Sequence, residues 1–251
     1  MDIHKPQPFH NWREFTAEIA VIVIGVLIAL SAEQVVQAFE WNHKVDRAER
    51  AMRTEIAADD GPQVYERLAL ADCIDASLAR VRADVEKGAS RADVLAAVAQ
   101  YSVPHHSWDS QDYDAAREEG VTLHGLHHDT GWWGLTYAEM PVLDRGAERE
   151  FQNGAALGAI SHTGGALSDE EKGRILLAVE TLTRDNRAMA DAARIAAFGM
   201  HQLHLGIDPQ AMAREINILR GTPGASGCIA KFKALASLHE PVVTDVPPPV
   251  R

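Results

Sequence analysis

An uncharged stretch near the N-terminus constrains the fold of this chain more than any other feature. Residues 19–32, IAVIVIGVLIALSA, carry no charged side chain. A helix of this length extends only about 21 Å, less than the roughly 30 Å hydrocarbon core of a bilayer. Extension to Phe15 and Phe39 gives 25 residues, in which only two glutamates and two glutamines interrupt the apolar run. The segment 15–39 therefore predicts a single transmembrane helix.

Tryptophans stand at both ends of this segment. Trp12 and Trp41 are 29 residues apart, which is about 43 Å along a helix and matches a bilayer with its headgroup layers. Tryptophan is enriched at membrane–water interfaces because its ring is apolar and its N–H is polar. We therefore expect Trp12 and Trp41 to be interface anchors of the span.

A cleaved signal peptide is the alternative interpretation of this stretch. Arg13 would form its basic region, residues 19–30 its apolar region, and residues 29–31 a small-x-small cleavage site. Glu18 directly before the apolar region, and the return of apolar residues at 35–36, favour an uncleaved anchor. Both interpretations export the remainder of the chain.

One face of the predicted span combines small and acidic residues. Glu18, Gly25, Ala29 and Glu33 share this face, since seven residues are close to two helical turns. Small residues let helices approach closely in lipid, and an acidic side chain there favours a protein partner. The pattern predicts a packing face for self-association or for a larger membrane protein. In the alternative, both glutamates reach the interfaces and Gly25 is incidental.

Two rules oppose each other on the orientation of the span. Two basic residues precede it, whereas four follow within 44–53, interleaved with acidic residues. The excess of basic residues favours a cytoplasmic C-terminus, but a short N-terminal tail before a first span commonly stays inside. We expect residues 1–14 to be a short cytoplasmic tail at an inner membrane and the C-terminal domain to be periplasmic.

Helical periodicity dominates the rest of the chain. Apolar residues recur at three- and four-residue intervals, and no alternating strand pattern is present. Ser90 and Ser168, each followed three residues later by an acidic residue, are helix-start signals. Residues 59–62, DDGP, predict the end of the first helix, and glycines between 120 and 134 predict loops. We predict an all-α, bundle-like extramembrane domain over 40–240 and a Pro-rich extended tail over 241–251.

The run EIAVIVIGVLIALSAEQ, followed by AFEWNHKVDRAE, carries a resemblance. It is similar to an uncharacterised bacterial family of single-span membrane proteins with a "GEIxLVVIGVLIAL"-type N-terminal segment and a helical exported domain. The resemblance covers residues 17–55, and a more general similarity extends to Trp108–Gly120. This chain has Ala17 where the family often has glycine. The resemblance implies membrane anchoring and no particular activity.

The chain contains two cysteines, each on a predicted helix. Cys73 and Cys228 are 155 residues apart. In an exported domain such a pair favours one disulfide that ties the end of the chain to its first helices. Two free buried thiols are the alternative, which is expected if the domain is cytoplasmic.

The middle of the chain is rich in histidine. Between His105 and His128, the residues His124, His127 and His128 offer metal-ligand spacing, because positions four apart share a helix face. Three such histidines could form a zinc or copper site. Solvated histidines are the alternative, since glycines interrupt the region and no glutamate base accompanies the motif.

Three tryptophans lie in the same region. Trp108, Trp132 and Trp133 fall within 26 residues and form a possible ligand surface. Aromatic residues in helical proteins more often belong to the core.

The remaining composition bounds the function. A net charge of −12 argues against a nucleic-acid binder. The chain lacks the motifs GxxxxGK[ST], GxGxxG and GxSxG, so we predict no catalytic residue and no cofactor. We expect a non-catalytic, membrane-anchored helical protein, in contact with membrane lipid, that forms a homo-oligomer or serves as an interaction or accessory subunit of a larger membrane complex. The alternatives are a metal-binding protein or metalloenzyme using the His105–His128 cluster, and a ligand or pH sensor acting through a partner.

Overall fold

The structure, a computed structural model, describes residues 12–124, 126, 130–160 and 165–237. All regular structure in these ranges is helical and none is strand, which confirms the all-α prediction. The predicted tail 241–251 and most of the predicted tail 1–14 lie outside the described residues. The α-helices in chain order are α1 (Trp12–Glu55), α2 (Gly61–Glu86), α3 (Arg91–Val98), α4 (Gln111–Glu118), α5 (Val121–His124), α6 (Thr130–Ala138), α7 (Met140–Gly158), α8 (Asp169–Gln202), α9 (Pro209–Gly221) and α10 (Ile229–Ser237). A π-helical turn spans Ile56–Asp60 and a 3₁₀ turn spans Ser226–Cys228.

The chain divides into two units between Arg47 and Ala48. The first unit contains most of α1, and none of its apolar window is buried. Val21 and Ile28, for example, are 70 % and 64 % exposed. By length and composition α1 is able to cross a membrane.

The second unit is organised around α8, against which α2, α6 and α7 all pack. Each helix contributes fully buried apolar side chains, such as Leu78 on α2, Trp133 on α6, Leu143 on α7 and Leu182 on α8. Phe232 of α10 is also fully buried, and α10 packs against α2. Removal of these side chains from water is the main force that holds the helices together.

Both predicted helix-start signals are confirmed. The side chain of Ser90 accepts a hydrogen bond from the Asp93 backbone N–H. Ser168 and Glu171 form a reciprocal capping box at the start of α8. These caps satisfy backbone donors that the first turn of a helix leaves unpaired.

The predicted helix end at residues 59–62 is wrong, because a π-helical turn leads directly from α1 into α2. The Gly61 backbone N–H donates to the Ile56 carbonyl, five residues earlier. Pro62 has no N–H, and a proline in an ordinary helix crowds the carbonyl four residues before it. The wider π turn removes this conflict, so the chain stays helical through a sequence that usually breaks a helix.

The loops predicted from glycines between 120 and 134 are wrong in part. Gly131 and Gly134 lie inside α6, and α7 follows after a single residue. Glycine also permits close packing here, because a Cβ on Gly199 of α8 would clash with Oγ1 of Thr136 on α6. The short helices α4 and α5 were likewise hidden by polar and glycine-rich sequence.

The predicted cysteine pair lies at disulfide-bonding distance. Cys73 is on α2 and Cys228 ends the 3₁₀ turn, with Cα atoms 6.4 Å apart. The described part of the chain contains no free cysteine. A bond at this place ties the C-terminal segment to α2 across 155 residues.

Candidate functional site

Two acidic side chains and one histidine converge inside the second unit. His106 Nε2 lies 2.7 Å from Glu66 Oε2 and 3.8 Å from Glu215 Oε2. One potential ligand atom from each of the three residues lies within 4.8 Å of the other two. We call Glu66, His106 and Glu215 the acid–histidine site.

His106 reaches the site because the segment between α3 and α4 is extended. Successive side chains of an extended chain point to opposite sides. His105 and Ser107 are accordingly exposed, whereas Trp108 is buried. The buried Trp108 ring, 6.2 Å from the His106 ring, fixes this segment against the core.

Glu215 occupies a position on α9 that is otherwise apolar. Ala211 and Leu219, one helical turn before and after it, are buried on the same face. Asp208 begins the helix by accepting a hydrogen bond from the Gln210 backbone N–H. The inward face of α9 therefore places a carboxylate where a core side chain is expected.

The π-helical turn holds α9 in place. The Asp208 backbone N–H donates to the Ala57 carbonyl at 2.9 Å, and Arg214 Nη2 donates to the Ala58 carbonyl at 2.9 Å. These carbonyls are available because the π turn and Pro62 leave them without their usual helical donors. The irregularity of the helix thus supports the helix that carries Glu215.

The acid–histidine site carries buried carboxylate oxygens without partners. Glu66 is 1 % and Glu215 is 7 % exposed. Glu66 Oε1 and Glu215 Oε2 accept no hydrogen bond from any residue that the structure describes. A buried acceptor in this state is costly unless a proton, an ion or water satisfies it.

The electrostatics of the site favour a positive occupant. Burial, aided by the negative charge of Glu66, raises the pKa of Glu215 to about 7. Burial opposes a charged imidazole, but the hydrogen bond and charge of Glu66 outweigh it and raise the pKa of His106. Glu66 contributes to both shifts, because its negative charge disfavours a second carboxylate and favours a protonated imidazole.

The neighbouring Arg67 is already paired. Its guanidinium donates two hydrogen bonds, 2.8 and 2.6 Å long, to the carboxylate of Glu150 on α7. Its Nη2 also donates to Asn186 Oδ1 on α8 at 2.7 Å. The cavity between Arg67 and His106 has a volume of about 10 Å³. This space suits one water-sized occupant and excludes an organic substrate.

A second pair of carboxylates, half-buried Glu55 and buried Asp60, lies at the junction of α1 and α2. The Tyr137 hydroxyl donates to Glu55 Oε2 at 2.6 Å, and the Asp109 backbone N–H donates to Asp60 Oδ1 at 3.3 Å. Burial, with added repulsion from nearby carboxylates, raises the pKa of Asp60 to about 7. Asp60 Oδ2, like Glu66 Oε1 and Glu215 Oε2, accepts no hydrogen bond from the described residues, but no histidine lies among these carboxylates.

The three histidines predicted as metal ligands, His124, His127 and His128, are largely outside the part of the chain that the structure describes. His127 and His128 lie outside the described residues, and the side chain of His124 is not among those described. His105 is exposed, with its ring 5.5 Å from that of Phe151. From the wider histidine-rich region, the structure brings His106 between two carboxylates.

The predicted ligand surface of tryptophans is divided. Trp133 is fully buried and Trp108 is nearly so. Trp132 is half-buried, with its ring edge-on to that of Phe198 at 5.6 Å. Of the three residues, Trp132 alone contributes appreciably to the surface, since the other two belong to the core.

The predicted residues of the span are all exposed. A Cβ on Gly25 would meet no described atom within 4 Å, and Glu18 and Ala29 are uncovered as well. Glu33 accepts a hydrogen bond from Gln37 Nε2 at 3.3 Å. The same face therefore has space for another helix.

The two predicted interface anchors, Trp12 and Trp41, both lie on α1 and differ in exposure and contacts. Trp12 is exposed, and its ring is tilted against that of Phe15, with ring centroids 5.7 Å apart. Trp41 is half-buried, and Lys44 Nζ lies 4.9 Å from its ring centroid. An aromatic ring beside a lysine is a combination that suits a membrane–water boundary.

Sequence reasoning missed two members of the acid–histidine site. Glu66 and Glu215 were not predicted, because neither belongs to a recognised motif. Glu215 did leave one signal, since it lies midway between Ala211 and Leu219 on an apolar helix face. Its partners come from distant parts of the chain, so spacing alone does not unite them.

Comparisons with protein-family models, curated proteins and solved structures found no match. The resemblance to the single-span family therefore stays a prediction.

Proposed function

We propose that this chain is a membrane-anchored, non-catalytic helical protein that serves as an interaction or accessory subunit of a membrane assembly. The observation that carries the proposal is the uncovered apolar surface of α1. Exposure of residues such as Val21 and Ile28 to water is unfavourable, by about 25 cal/mol for each Å² of apolar surface. Membrane lipid, together with a partner helix, removes that surface from water.

The cysteines support a periplasmic location for the helical domain. Disulfides persist in oxidising compartments and are rare where thiols are kept reduced. The pairing distance of Cys73 and Cys228 makes such a bond available without rearrangement. An inner-membrane span with its N-terminus inside gives this arrangement.

The acid–histidine site supports a non-catalytic role. The cavity beside the site, between Arg67 and His106, has a volume of about 10 Å³ and admits no organic substrate. A structural or binding role therefore fits the second unit better than turnover.

The small and acidic face of the span supports assembly through the membrane. Gly25 offers an open position on that face, flanked by Glu18 and Glu33. Glycine permits close helix approach, and a glutamate at membrane depth gains from a protein partner. We expect this face to contact either a second copy of the chain or another membrane protein.

Substitution of Gly25 tests the proposed assembly. Native particles are purified in mild detergent and their mass is measured by light scattering. Gly25→Ile should reduce the mass of the particle, because its side chain blocks the close approach. Ala20→Ile is the matched control, since residue 20 lies about 200° round the helix from Glu18, and it should leave the mass unchanged. A wild-type chain that runs as a lone monomer, or equal effects of both variants, would contradict the proposal.

A further inference from the structure

We propose that Glu66, His106 and Glu215 bind a divalent transition-metal ion. This inference is independent of membrane anchoring, because it rests on side chains inside the second unit. Its ligands come from α2, from the extended segment between α3 and α4, and from α9.

The donor set defines the class of ion. An imidazole nitrogen with two carboxylate oxygens suits zinc and its first-row neighbours, whereas magnesium and calcium prefer oxygen donors alone. Metal–donor bonds of about 2.0–2.2 Å in a tetrahedral set place the donors of one ion about 3.4 Å apart. The three donor atoms lie within 4.8 Å of one another, so side-chain movements that bring the most distant pair together by up to about 1.4 Å complete the set.

Charge balance favours a doubly charged occupant. Two carboxylates and a neutral imidazole carry a net charge of −2, which one divalent ion neutralises. Neutrality matters here because both carboxylates are at least nine-tenths buried.

The unpartnered atoms point to a missing ligand. Glu215 Oε2 faces His106 Nε2 at 3.8 Å without a hydrogen bond, and Glu66 Oε1 is also unsatisfied. The buried Trp108 Nε1–H, in a small cavity that Glu66 and His106 also line, donates to no described acceptor. Such a donor beside a metal site serves a coordinated water or the outer oxygen of a ligating carboxylate.

A bound ion would fasten the C-terminal part of the second unit. Glu215 on α9 and Glu66 on α2 are 149 residues apart in sequence, and the ion would join them through His106. The cysteine pair joins the next part of the chain, at Cys228, to the same helix α2. The role of the ion is therefore structural, since it and the cysteines hold one segment at two points.

Zinc titration of the full chain tests the site. The protein is purified in detergent without a histidine tag, stripped with a chelator, and titrated calorimetrically with Zn²⁺. We expect one tight site per chain and a zinc-dependent rise in melting temperature, with Mg²⁺ inactive at equal concentration. His106→Ala and Glu215→Gln should each weaken zinc binding by at least about tenfold. His105→Ala, an exposed neighbour, should bind zinc as the wild type does.

Two further variants make the result decisive. Glu215→Gln has the same shape and removes a buried charge, so the metal-free variant should melt no lower than wild type while it loses zinc affinity. Misfolding cannot produce that combination. The triple variant H124A/H127A/H128A should retain the tight site. Absence of a tight site in wild type, unchanged affinity in His106→Ala, or loss of the site in the triple variant would overturn the proposal.

Discussion

At the scale of single residues, the buried charges of the second unit differ in how they are paired. Arg67 and Glu150 form a two-point ion pair completed by Asn186. The acid–histidine site pairs two carboxylates with one imidazole and leaves oxygens free. Because an unpaired buried charge costs far more than a paired one, the proposed ion would satisfy the second arrangement, whereas Arg67 and Glu150 already neutralise each other.

Asp60 gives the residue-scale prediction of pH dependence. Its pKa is about 7 in the folded protein and 3.8 ordinarily. Below both pKa values the Asp60 carboxyl is protonated in the folded and in the unfolded state, and its contribution to stability is most favourable. As the pH rises through this window, the unfolded state loses its proton more readily, so the wild type loses up to roughly 4 kcal/mol of unfolding free energy. Asp60→Asn should not show this loss.

Urea unfolding of wild type and Asp60→Asn between pH 4 and pH 8 measures the effect. As the pH increases, the unfolding free energy of Asp60→Asn should rise relative to that of the wild type. Asp59→Asn, at the exposed neighbouring position, should follow the wild type. A constant difference between wild type and Asp60→Asn across this range would show that Asp60 does not carry the pH dependence.

Residue pairings were predictable where chemistry allows few partners. With only two cysteines in the chain, Cys73 and Cys228 had one possible intramolecular pairing, which the structure brings to bonding distance. His106 and Glu215 have many possible partners, and only the fold selects among them. The sequence marks Glu215 as unusual on its helix face but does not say what it meets.

At the scale of elements, the π-helical turn is the feature that the sequence pattern concealed. Aspartates followed by glycine and proline usually end a helix. Here the turn frees the carbonyls of Ala57 and Ala58, which then accept hydrogen bonds from the start of α9 and from Arg214. Whether a helix stops at such a sequence depends on whether another element provides donors for these carbonyls. The local sequence cannot predict this, because the donors come from a distant part of the chain.

Gly61 provides the element-scale prediction. A Cβ at this position would lie 2.5 Å from the Ile56 carbonyl oxygen and 2.9 Å from Met200 Cε. Gly61→Ala should therefore destabilise the second unit by about 1–3 kcal/mol, as overpacking does. Gly173→Ala, in an exposed and open part of α8, should instead stabilise it by up to about 1 kcal/mol, because alanine favours helix. Melting followed by circular dichroism checks both, and a stable Gly61→Ala variant would mean that the turn can relax.

Helices with regular apolar stripes and clear caps were predicted closely, whereas helices whose glycines permit close packing against a neighbouring helix were missed. The start of α8 follows from Ser168 and Glu171 alone, because a capping box is local chemistry. The helices α6 and α7 contain glycines that resemble loop signals. At Gly146 of α7 a Cβ would clash with Met189 of α8, so this glycine serves helix packing. Local propensity does not reveal such contacts.

At the scale of the whole molecule, the chain combines two units with different demands on their surroundings. The first exposes an apolar helix that requires lipid or protein cover. The second has its own core of buried apolar residues. Composition alone averages these two into one acidic, moderately hydrophobic chain. The position of the apolar run, near the N-terminus, is what predicts an anchor and an extramembrane domain.

Cysteine labelling in intact spheroplasts tests the proposed membrane topology most directly. Cysteines are introduced singly, at the exposed position Gly173 of α8 and at Asp2 in the N-terminal tail, and treated with a membrane-impermeant maleimide. Gly173→Cys should be labelled before lysis and Asp2→Cys only after it, while Cys73 and Cys228 stay unlabelled until reduced. Protection of Gly173→Cys until lysis would contradict an exported domain, and loss of position 2 from the mature chain would contradict an uncleaved anchor.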